Sequence, residues 1–266
     1  MYNTIHTMTA APVMTGPDSS SALVTRILET HTARILYAAP VEPIAMQRCV
    51  ELIDESFSYY QYDQVEIEIE SNGGRVDSMH SMRARIDRWR RDGRKIHTRA
   101  LVTCASAAAS LLSMGEIGGR TVSPSTTLLY HFSRVLTSSA AITSERARDL
   151  TRRLDCEDER MLEQLLDHIM GTDEAAAAAW LQRALERIEW AKDFIRHGNT
   201  QRAFVQKDAA ERLRKLERTL KAIRSESSIR ARVRTHLEAM FALDQAADLL
   251  EAWALNLFDR IEDVTP

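Results

Sequence analysis

At 266 residues, with 44% hydrophobic and 27% charged side chains, the chain is long enough to bury a full core and reads as an ordinary globular protein. Its 35 basic and 38 acidic residues leave a formal net charge of −3, so no basic excess points to nucleic acid or to an anionic membrane as a partner. Cys49, Cys104 and Cys156 are scattered and form no CxxC or Cys/His pattern, which argues against a disulfide framework or a zinc site and for a reducing, cytoplasmic setting.

Residues 1–22 are rich in Thr, Ser and Pro without apolar periodicity, and are expected to be a flexible leader or a removable pro-segment. "ARILYAAPV" (Ala33 to Val41) is an apolar run of strand length, and "EPIAMQRCVELIDESFSYY" after it repeats apolar residues at helical spacing. "QVEIEIES" alternates Val65, Ile67 and Ile69 with Glu66, Glu68 and Glu70, a period-two strand that ends at Asn72-Gly73-Gly74. A helix closed by Gly93, the strand "KIHTRALVT", a small-residue helix "SAAASLLSMG" and the short runs "TVSP" and "TTLLYHF" follow. Strands alternating with helices predict an α/β fold with a largely parallel sheet, whose functional groups gather where the strands end. Both "SNGG" and "TCAS" stand at such ends. Beyond about residue 140, four long charged segments, the last of them "HLEAMFALDQAADLLEAWALNLFDRI", read as helix. Among their cations, Arg212, Arg214, Lys215, Arg218, Lys221 and Arg224 share one helix with Glu211 and Glu217, the pattern of a solvated face.

The stretches "IEIESNGGRVDSMHSM" and "TCASAAASLLSMGEIGGRTVSPSTTLLYHFSR" resemble the core of the Clp protease proteolytic subunit and of the related prohead-type serine peptidases, within the Clp/crotonase superfamily. The likeness runs from Ile35 to Arg134 and needs no gap between Ser106 and His131. It implies a ββα spiral core with parallel sheets over 23–198, a handle helix at the end of that core, and a helical C-terminal extension over 199–266. It also implies a serine nucleophile at Ser106, a general base at His131, and an oxyanion hole from the N–H groups of Gly74 and Ala107, with no metal or cofactor. A serine hydroxyl is a weak nucleophile until an imidazole takes its proton, and the tetrahedral oxyanion needs N–H donors already aimed at it. Ala107 to Ala109 would make room around the site, and the spacing selects Ser106 over Ser110.

The chain departs from that pattern at Asn72 within "SNGG", at Ala107-Ala108, and at Phe132-Ser133, where relatives carry Gln-Pro or Asn-Pro. The third triad member is missing: Ile188 occupies the expected position, and Glu189 and Asp193 stand nearby around Trp190. An imidazole without an acid can still work with reduced efficiency, or a backbone carbonyl can take the acid's place. Two functional expectations result. One is an endopeptidase of unfolded polypeptide, assembled as a homo-oligomeric ring or stacked rings and fed by an ATP-driven AAA+ unfoldase; the other is a degenerate subunit serving assembly or partner binding.

Overall fold

The strand and helix alternation expected from the sequence is present. The computed structural model describes residues 23–29, 32–133, 143–197, 205–223 and 229–265, so the expected leader over 1–22 lies outside the described residues. The first half contains β1 (Leu23–Leu28), β2 (Ala33–Ala38), α1 (Pro43–Ser58), β3 (Gln64–Ser71), α2 (Val76–Arg91), β4 (Lys95–Ala105), α3 (Ala107–Ser113), β5 (Arg120–Val122) and β6 (Thr127–Leu129). The second half contains α4 (Ser144–Met170), α5 (Glu174–Arg196), α6 (Ala209–Lys221), α7 (Ile229–Ala242), α8 (Leu249–Ala254) and β7 (Arg260–Ile261).

One mixed sheet forms the centre, in the order β1-β2-β3-β4-β5-β7, with β6 also on β4. Only β1 runs antiparallel to its neighbour; every other pairing is parallel. The period-two reading of β3 holds: Val65, Ile67 and Ile69 enter the core, while Glu68 on the other face meets Arg34 at 3.1 Å and Arg99 at 3.2 Å. Packed against the apolar face, α1 and α2 contribute Met46, Ile53, Phe57, Met79, Met82 and Ile86. Burying such side chains stabilises the fold by about 1.5–3 kcal/mol each.

The eleven residues of β4 are long enough for two short strands to share one of its edges. β5 pairs with Thr98–Ala100 and β6 with Thr103–Ala105. Because β3 and β4 are parallel, paired from Gln64↔Lys95 to Ile69↔Ala100 and again, after a shift of register, at Ser71↔Cys104, the ends of β3, β4 and β6 lie side by side. That shared end carries Gly73-Gly74, Ser106 and His131.

The C-terminal segment corrects one expectation. "HLEAMFALDQAADLLEAWALNLFDRI" is not a continuous helix: α7 ends at Ala242, Asp244 and Asn256 take positive φ angles of 51° and 63°, and the chain finishes by adding β7 to the sheet beside β5. Short Asx side chains tolerate that left-handed backbone, which ends the helices. The joint is polar and buried. Arg120, fully buried, donates to both carboxylate oxygens of Asp259, at 3.0 Å from Nε and 2.7 Å from Nη2, and to Asn256 Oδ1 at 3.0 Å. Ala247 N–H donates to the Leu128 carbonyl of β6 at 2.7 Å, and Phe241 stacks on Tyr130 with ring centroids 5.3 Å apart. The C-terminal helices thus press directly on the strand that leads to His131. Among the described residues no helix is long and apolar enough to cross a membrane.

Candidate active site

Ser106 sits at the corner between β4 and α3 with φ 57° and ψ −128°. For a residue with a Cβ this left-handed backbone is strained by roughly 1–3 kcal/mol, and it is the conformation by which a sharp strand-to-helix turn holds a serine hydroxyl clear of its own backbone. Hydrogen bonds fix the corner from both sides: Ser106 N–H donates to the Leu129 carbonyl at 2.8 Å, and the Ser106 carbonyl accepts from Ser110 N–H at 3.2 Å. Strain that the surroundings enforce in this way marks Ser106 apart from every other serine in "TCASAAASLLS".

The neighbouring hydroxyls and thiol are occupied or hidden. Ser110 is buried with Oγ 3.4 Å from Met161 Sδ, and Ser113 Oγ lies 2.6 Å from the Tyr130 hydroxyl. Burial pushes the Cys104 thiol far up, so it stays protonated and is a poor nucleophile. Ala107, Ala108 and Ala109 are buried beneath the corner.

Gly73, with φ 92°, packs against the same corner: a Cβ there would fall 2.6 Å from both the Ala105 carbonyl oxygen and Ser106 Cβ, and 3.2 Å from Ala107 N. Only glycine lets the two backbones approach so closely. Gly74 is pinned on the other side by Val41, through Val41 N–H to Gly73 O at 2.8 Å and Arg75 N–H to Val41 O at 2.7 Å. Neither Gly74 N–H nor Ala107 N–H has an acceptor among the described residues. Ala107 is the first residue of its helix, a position whose N–H has no partner within the helix.

His131 follows β6 by two residues and is half-buried. Its Nδ1 lies 2.6 Å from the carbonyl oxygen of Phe132. A carbonyl can only accept, so Nδ1 carries a proton, and in the neutral ring Nε2 is the nitrogen with the lone pair. No hydrogen bond joins Ser106 Oγ to the ring among the described residues. The next N–H along, that of Ser133, donates to Asp158 Oδ1 on α4 at 2.9 Å.

The two candidates for a triad acid are engaged in ion pairs on the helical half. Glu189 pairs with Lys192 at 3.0 Å and Lys221 at 4.0 Å, and Asp193 pairs with Arg196, all on α5 and α6. Ile188, just before them, is fully buried, and Trp190, which stands between them, stacks on Phe194 with centroids 5.2 Å apart. Helical periodicity explains the arrangement: α5 turns its apolar stripe to the C-terminal core and its carboxylates to solvent. Sequence reading pointed to these acids by proximity in the chain and gave no notice of the contacts that Phe132 O makes with His131 and Asp158 with Ser133 N–H. The only available signal for them was Ser133, which has an N–H where relatives of the resembled family carry proline.

Among the described residues no group of three His, Cys, Asp or Glu side chains could hold a metal ion. Compared with family models and with curated proteins, the chain gives no match.

Proposed function

We propose that the chain is a serine-type endopeptidase on a Clp/crotonase-like ββα core, with Ser106 as nucleophile, His131 as general base and the N–H groups of Gly74 and Ala107 as oxyanion donors. The observation that carries this reading is the strained Ser106 corner, held by Leu129 O of the same strand that delivers His131. In the reaction, Ser106 Oγ attacks the scissile carbonyl carbon while its proton passes to His131 Nε2. The carbonyl π pair moves onto oxygen, where the two N–H groups receive it. Collapse of the tetrahedral species breaks the C–N bond, His131 returns the proton to the leaving amine, and water then hydrolyses the acyl-serine by the same steps.

The working form is a homo-oligomeric ring or pair of rings in the cytoplasm, acting on unfolded polypeptide delivered by an AAA+ unfoldase. Its support is α4, whose residues from Ser144 to Asp149 are all exposed, where the resemblance places the handle between rings. A second reading, a degenerate subunit that binds partners without cleaving them, draws on one observation: no hydrogen bond joins Ser106 to His131 among the described residues.

Hydrolysis of fluorogenic peptides and of an unfolded polypeptide separates the two. Ser106→Ala lowers turnover by at least about 10³-fold while folding and assembly persist, and Ser110→Ala leaves it near wild type. Full activity in Ser106→Ala, or equal loss in both variants, contradicts the assignment.

A further inference from the structure

A base needs its ring held in one tautomer, and here the ring is held by backbone. The Phe132 carbonyl that accepts from His131 Nδ1 and the Ser133 N–H that donates to Asp158 belong to the same peptide group. The chain of contacts is therefore continuous: His131 Nδ1–H to Phe132 O at 2.6 Å, through the planar amide, then Ser133 N–H to Asp158 Oδ1 at 2.9 Å. An amide is a conjugated unit. A carboxylate accepting from its N–H draws electron density toward the carbonyl oxygen and makes that oxygen a better acceptor, so bonds at the two ends strengthen each other. The carboxylate also fixes the rotation of the peptide plane, which otherwise could turn its carbonyl away from the ring. Asp158 itself is anchored, since α4 is packed through Met161, Leu162 and Leu165 into the core one turn further on.

Resting on the peptidase reading of Ser106 and His131, we infer that Asp158 is a positioning residue for His131, acting through the Phe132–Ser133 peptide group. It does from one peptide away what a triad acid does by direct contact: it holds the proton on Nδ1 and leaves Nε2 free to accept from serine. When the ring becomes imidazolium, the Nδ1–H to Phe132 O bond becomes charge-assisted, and the polarised amide meets it without moving.

The test combines kinetics with ring ¹⁵N NMR of His131. Asp158→Ala lowers kcat about 10- to 100-fold with KM within about twofold, because a charge-assisted hydrogen bond is lost from the transition state and not from substrate binding. Asp158→Asn keeps an acceptor oxygen and restores most of the rate. In an otherwise inactive Ser106→Ala background, the NMR spectrum shows the Nδ1–H tautomer; adding Asp158→Ala shifts the population toward Nε2–H, and adding Asp158→Asn moves the Nδ1 proton upfield. A His131 ring unchanged in both Asp158 variants, or a fall in kcat without any change at the ring, overturns the inference. Failure of the peptidase reading is read separately, as a wild-type protein that hydrolyses no peptide whatever the ring spectrum shows.

Discussion

The strand ends around Ser106 and the helices from α4 to α8 are held by different kinds of order. At the strand ends, backbone angles that few residues tolerate, small side chains and short strand pairings place Gly73, Ser106 and His131 within a few residues of parallel-sheet registry. In the helical half, apolar stripes and long-range ion pairs do the work: Arg120 reaches Asp259 across 139 residues, and Arg234 reaches Glu159 and Glu163 from α7. Local constraint leaves a mark in sequence that can be read residue by residue. Long-range pairing does not, and a substitution in one region should therefore damage activity where the same change in the other damages stability.

The largest expected effect on stability lies at the joint between the regions. Burial alone would raise the Asp259 carboxyl, but the hydrogen bonds and charge of Arg120 outweigh it and hold that carboxyl below its ordinary range. Asp259→Asn leaves the buried Arg120 charge uncompensated and costs about 3–5 kcal/mol. A melting temperature lower by about 10 °C at pH 7 is the result expected from a calorimetric scan. Since the folded carboxyl titrates below the unfolded one, its contribution is complete above the ordinary value of 3.8 and is lost as pH falls through the lower folded value. The difference between wild type and variant should accordingly shrink only below about pH 4. A constant difference down to pH 2 would break this account of the joint.

Gly73→Ala is the matching change at the strand ends. Its φ of 92° and the 2.6 Å approach to Ala105 O make any Cβ a collision with backbone. The cost is about 2 kcal/mol in stability, and kcat falls at least about tenfold because the Ser106 corner must shift. Wild-type turnover in a folded Gly73→Ala protein would show that the corner tolerates displacement.

The alternation of Val65, Ile67 and Ile69 and the glycine pair after it made β3 and its turn legible, because a two-residue period and a positive φ each demand particular residue types. The small-residue run pointed to Ser106 for the same reason. What stayed hidden was whatever depends on the third dimension: β1 lacks a clean period, β7 is two residues long, and Asp158 meets Ser133 because α4 packs against α3 and α7. The triad acid illustrates the limit. Chain proximity suggested Glu189 and Asp193, yet helical geometry turns both outward into ion pairs with side chains about half exposed, interactions worth at most about 1 kcal/mol. Glu189→Gln and Asp193→Asn should each keep peptide turnover within about twofold of wild type, the smallest effect expected here. A severe loss in either would restore it as the orienting acid and displace Asp158.

The most direct test of the Ser106 site is covalent. If Ser106 is the nucleophile proposed above, a fluorophosphonate probe, added to the native protein and followed by intact mass and peptide mapping, should form one adduct, on the Ser106 hydroxyl at the strained corner. The adduct should vanish in Ser106→Ala and in protein unfolded before labelling. A native protein that stays unlabelled, or one that is labelled on another serine with Ser106 unmodified, would contradict a catalytic Ser106 and leave the fold as a binding scaffold.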